Sequence, residues 1–99
     1  MEYFRIGHCK EGTSDKIWGL IKLTDKGSYY NDYAAFWGRR GKALQTKIHH
    51  DIDQWDAEKL FRKKEDKGYS QIDMSRLQDV YPEFEQDLQK TAMWATLKM

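Results

Sequence analysis

Ninety-nine residues, 39% hydrophobic and 33% charged, suffice for one domain with one core and leave no room for a second. Seventeen Lys and Arg against sixteen Asp and Glu give a net charge of +1, so bulk charge selects no partner. The single cysteine excludes an intramolecular disulfide, no apolar run approaches the roughly 18 residues of a membrane span, and the first residues lack the pattern of a secretory leader.

These exclusions predict a protein of the cell interior, cytoplasmic or associated with the nucleoid, with no membrane contact. In chain order, residues 2–9 alternate, with Phe4, Ile6 and His8 on one face and Tyr3, Arg5 and Gly7 on the other. A turn cluster from Glu11 to Asp15 leads to a second strand, Lys16 to Leu23. Ile17, Ile21 and Leu23 share one of its faces, Trp18 and Leu20 the other, and apolar groups on both faces predict a central place in the sheet. Thr24 to Ser28 reads as a hairpin turn. A third strand, Tyr29 to Trp37, is dense in aromatics. Leu44 to His49 forms a fourth, with Leu44, Thr46 and Ile48 in register.

The period then changes from 2 to 3.6. Asp53 is placed to cap a helix in which Ala57, Leu60, Phe61 and the stem of Lys64 form one stripe. Arg62, Lys63, Lys64 and Lys67 suit the negative end of its dipole, and Gly68 can end it in the left-handed conformation. Residues 69–72 read as a short edge strand. A second helix is expected from Pro82, with Phe84, Leu88, Ala92 and Ala95 on one side and Trp94 and Leu97 nearby. The expected fold is therefore α+β: an antiparallel sheet of four to five strands, a helix packed across it, and a second, C-terminal helix.

Charge is unevenly spread. Residues 39–67 carry nine basic and six acidic side chains, whereas residues 68–99 carry three and five. The basic stretch opens on Phe36-Trp37-Gly38-Arg39-Arg40-Gly41-Lys42. Glycines beside a Trp and several cations allow close backbone approach, a stacking face and charge-assisted donors in one place, which suits a sugar-phosphate backbone or a nucleic-acid end. The same residues also fit a plain hairpin loop, with Trp37 packed inward and the arginines solvated.

Trp37-Gly38-Arg39 followed by Gly41 resembles the motif that names the WGR domain. The resemblance extends to Asp15-Lys16-Ile17-Trp18, to a helix ending in Phe61-Arg62-Lys63-Lys64, and to Lys67-Gly68-Tyr69 about 30 residues after the tripeptide. It covers residues 1–73, with residues 74–99 as a helical extension packed on the same domain. What the resemblance implies is a curved antiparallel sheet crossed by a helix. In the DNA-dependent poly(ADP-ribose) polymerases this domain contacts DNA near a strand break, the motif Trp stacking on a terminal nucleotide and the motif Arg fastening that contact. By that similarity Trp37 is the expected stacking platform and Arg39 the clamp, with Gly38 between them. Arg40, Lys42 and Lys47 are the expected phosphate contacts.

The function expected is a non-enzymatic nucleic-acid binding module that recognises DNA nicks, ends or backbone with little sequence specificity and needs no cofactor. The alternative is a protein-protein adaptor on the same scaffold, with the C-terminal helix (Met93, Trp94, Leu97 and Met99 outward) as the partner surface. Enzymatic readings find little support. His8 and Cys9 with His49 and His50 make a metal site only if their strands are neighbours, and then with one residue of each pair at most.

Overall fold

A computed structural model describes residues 2–12, 14–24 and 29–90. Strands β1 (Glu2–Glu11), β2 (Ser14–Lys22), β3 (Tyr30–Arg39) and β4 (Gln45–Asp53) precede helix α1 (Gln54–Glu65). Then come β5 (Ser70–Gln71), a 3-10 turn (Met74–Arg76) and two short helices, α2 (Leu77–Val80) and α3 (Phe84–Gln89). The sheet is antiparallel throughout, in the order β4-β3-β2-β1-β5. The four-strand meander and the edge strand at residues 69–72 are as the alternation predicts. The face of Phe4, the turn at residues 25–28 and everything expected of residues 91–99 lie outside the described residues.

Because β2 is central, its alternation divides the molecule into two cores. Ile17 and Ile21 join Ile6, Ala34, Phe36 and Leu44 on one face, where Ile72, Leu77, Tyr81, Phe84 and Leu88 cover them. Trp18 and Leu20 join Tyr33 and Ala35 on the other, beneath Ala57 and Phe61 of α1. Helices therefore lie on both faces of one sheet. Residues 74–90 are an integral cover of the first core, with Phe84 and Leu88 inward as the helical spacing predicts. The 3-10 turn and α2 went unforeseen, since seven residues are too few to display a 3.6-residue period.

Local chemistry sets the helix ends. The Asp53 carboxylate accepts the Asp56 backbone N–H at 2.7 Å, the expected N-cap. Beyond the helix, Gly68 takes φ +103 and Tyr69 N–H reaches back to the Lys64 carbonyl at 3.1 Å. Two close approaches seat the layers. A Cβ at Gly7 would stand 3.1 Å from the Phe61 ring, and one at Gly19 only 2.4 Å from the Phe36 ring. Each glycine thus leaves the space that an aromatic of the next element fills.

Candidate nucleic-acid interface

In an antiparallel pair, residues directly opposite share a face, so the register assigns the side chains to rows. On the α1 face, Trp18 lies opposite Trp37, which lies opposite Gln45. The row on one side of it runs Leu20, Ala35, Lys47; the row on the other side pairs Lys16 with Arg39. His49 lies opposite Tyr33 on the same face. From above, Lys64 of α1 brings its ammonium to 5.8 Å from the Trp18 ring centroid. Trp18, Ala35, Trp37, Lys47, His49 and Lys64 enclose an open depression of about 180 Å³.

Trp18 is buried, whereas Trp37 is half-buried: it packs against the α1-side core and keeps part of its ring at the rim of the depression. One part of this side chain thus packs inward, and another part stays open to solvent. Arg39, Lys42 and Lys47 are exposed, and among the described residues no carboxylate pairs with Lys16, Arg39, Lys47 or Lys64. Lys16 opposite Arg39 sets two cations across one strand pair, an arrangement that is unfavourable without an anion. His49 is held below its ordinary pKa, first by burial and then by the charge of Lys47.

The turn itself is built by its glycines and by the opposite face. Gly38 adopts φ +149, open to glycine and strained for other residues, and a Cβ there would meet Leu44 Cδ2 at 3.3 Å. Gly41 donates its N–H to Oδ2 of Asp87 at 2.7 Å, and the same oxygen accepts the Tyr81 hydroxyl. Asp87 is 1% exposed, and its Oδ1 faces Lys90 Nζ at 3.5 Å. Burial first, and then the bond to Asp87, push the Tyr81 phenol far above its usual range, so it remains a donor.

Arg40 points into this second network and away from the depression. Its guanidinium pairs with Glu83, lies 3.9 Å from Asp15 and sits 4.8 Å above the Tyr81 ring, while its backbone N–H donates to the Asp15 carbonyl at 2.9 Å. The hydrogen bond to Glu83 raises the Arg40 pKa further, and the same bond holds Glu83 below the usual carboxylate range. Arg40 therefore fastens the turn to the C-terminal cover.

Of the six residues singled out from sequence, Trp37, Arg39 and Lys47 share the α1 face, Gly38 and Lys42 shape and extend the turn, and Arg40 serves the other side. Lys16, Lys64 and His49 are not among those six. The alternation of β2 already put Lys16 beside Trp18, but their nearness to Trp37 depends on strand order and on the seat of α1.

His8 and His49 lie on β1 and β4, with two strands between them, so the two His-containing pairs do not meet. His8 pairs instead with Asp15. Among the described residues no group of three or more His, Cys, Asp and Glu is arranged to hold a metal ion, and no helix is long and apolar enough to cross a membrane. No family model, curated protein or solved structure matches the chain.

Proposed function

We infer that this chain is a non-catalytic module of the WGR type, acting inside the cell on DNA nicks, ends or backbone with little base specificity. The observation that carries the reading is the α1 face. A half-exposed tryptophan lies among Lys16, Arg39, Lys47 and Lys64, none of them neutralised by a described carboxylate. Stacking surface plus unpaired cations is what a single strand or a strand end requires, since every base offers a π-face and every nucleotide a phosphate. Trp37 supplies the platform, Arg39 and Lys16 hold the phosphate on one side of it, and Lys47 and Lys64 flank the other. Lys42 extends the cationic edge into the turn. Arg40 is engaged by Glu83 and Asp15, and contributes by keeping the turn in place.

The test is a salt-dependent binding panel on nicked, blunt and single-stranded DNA, with wild type, Trp37→Ala and Arg39→Ala in parallel. Trp37→Ala should weaken binding by roughly 1–3 kcal/mol in a protein that still folds, with a lowered unfolding midpoint because part of the ring packs against the α1-side core. Arg39→Ala should weaken all substrates alike, as phosphate contacts do. Absence of binding at low salt, or a Trp37→Ala protein that folds and binds as wild type does, would overturn the reading.

A further inference from the structure

Trp37 has cations on both sides of it along the sheet, and that arrangement restricts which part of a DNA strand it can receive. On the α1 face the row of Lys16 and Arg39 lies two positions along β3 from Trp37, and the row of Ala35 and Lys47 lies two positions the other way. An antiparallel strand rises about 3.4 Å per residue, so each row stands roughly 7 Å from Trp37 and the two stand roughly 14 Å apart. Lys64 adds a further cation from α1, over the ring of Trp18, the cross-strand neighbour of Trp37.

Lys47 and Lys64 line the depression beside Trp37, and among the described residues no carboxylate lines it. Its volume of about 180 Å³ is below the roughly 300–1,000 Å³ of a site that encloses a whole ligand. It therefore receives one part of a chain while the rest continues across the surface. A strand that ended on Trp37 would bring phosphates to one side only and would leave the other cations without an anion. A strand that passes over Trp37 meets both groups. Phosphates recur about every 3.4 Å along a stacked strand, so roughly 14 Å spans about four steps, and fewer of an unstacked strand. In a duplex both faces of an internal base are covered, and freeing one costs unstacking energy. Unpaired nucleotides offer Trp37 a face without that cost.

We propose that the α1 face takes the interior of a single DNA strand, running along β3 with one base on Trp37 and phosphates held on either side. Lys16 and Arg39 hold the backbone on one side, Lys47 and Lys64 on the other. The proposal rests on the DNA-binding reading and narrows it to unpaired segments that need no strand end.

The test measures competition against a labelled thymidine strand, with the full chain at low salt. The competitors are a covalently closed single-stranded thymidine circle, a linear strand of the same length, a series of shorter strands, and a blunt duplex. Circle and linear strand should bind equally. Affinity, corrected for overlapping sites, should level off at about four nucleotides. The duplex should bind about five- to 150-fold more weakly, the equivalent of one base-aromatic stack. Replacing either cation pair, Lys16→Ala with Arg39→Ala or Lys47→Ala with Lys64→Ala, should weaken circle and linear strand alike and shorten the length at which affinity levels off. Trp37→Ala should bring the single strand down to the level of the duplex. Trp37→Phe, which keeps a ring against the α1-side core, should preserve most of the difference. Trp55→Ala is the control, because Trp55 lines a separate depression with Tyr29 and Tyr30, about 14 Å along the helix axis from Lys64. Its loss should leave binding unchanged. A circle that binds about tenfold more weakly than the linear strand would overturn the proposal and leave recognition of ends in its place. A cation pair whose removal changes nothing, or a Trp55→Ala effect equal to that of Trp37→Ala, would overturn it as well. Absence of binding to every one of these DNAs would overturn the DNA-binding reading with it.

Discussion

Asp87→Ala removes the acceptor that joins the Trp-Gly-Arg turn to the C-terminal cover. Oδ2 of Asp87 receives both the Gly41 N–H and the Tyr81 hydroxyl, whereas Oδ1 faces only Lys90, which is half exposed. Hydrogen bonds to a charged acceptor contribute about 1.5–3 kcal/mol each. Gly41 is exposed, so water can take over its N–H, but Tyr81 is 1% exposed and its hydroxyl would be stranded. The loss should be about 3 kcal/mol, a large part of the 5–15 kcal/mol typical of a domain, and should lower Tm by roughly 12–24 °C. Asp87→Asn behaves differently, because one carbonyl oxygen in the Oδ2 position still accepts both donors while the amide nitrogen replaces Oδ1. It should lose only the charge assistance and the exposed contact with Lys90, about 1 kcal/mol. Urea unfolding of wild type and both variants measures the difference through the midpoint at constant slope. Asn and Ala variants equal within about 0.5 kcal/mol, or an Ala variant less than about 1 kcal/mol below wild type, would refute the reasoning.

Further expectations concern the binding face and the packing of the sheet. If Arg39, Lys47 and Lys64 each neutralise one phosphate, the logarithm of DNA affinity should fall against the logarithm of salt with a slope of roughly −2 to −3, and each alanine variant should lower it by about one. His49 is held below the ordinary histidine pKa by burial and by Lys47, and a phosphate beside it would favour the imidazolium. DNA affinity should therefore rise as pH falls from about 7.5 to 5.5, and His49→Gln should flatten that profile in fluorescence anisotropy. In the free protein the sign is the reverse. The unfolded chain takes up the proton first, so the His49 contribution is intact above about 6.5 and is lost as pH falls through the depressed value, a loss that urea titrations at several pH values would record. Gly19→Ala would put a Cβ 2.4 Å from the Phe36 ring and 2.9 Å from the Arg5 carbonyl oxygen, and should cost more than 1–3 kcal/mol, the usual range for overpacking, in thermal unfolding. A Gly19→Ala protein as stable as wild type would show that the ring moves aside freely.

The amino-acid sequence by itself determined the strands, the helix α1 and their faces, because those depend on short periods and on local capping. The 3-10 turn and α2 were too short to show a period. The split of β2 into Ile17 and Ile21 against Trp18 and Leu20, the Asp53 cap and the positive φ at Gly68 could all be read within a few residues of each position. Only the tertiary structure decided which cations act together. Arg39 and Arg40 are neighbours in the chain, yet one faces a second cation on β2 and the other a glutamate 43 residues away. Lys47 and Lys64 reach one depression from a strand and a helix, and Tyr29 and Tyr30 meet Trp55 only because β3 starts where β4 ends. Alternation tells which side of a strand a residue takes. Which partner waits on that side is set by strand order, register and the seat of the helix, quantities that no local window of sequence contains.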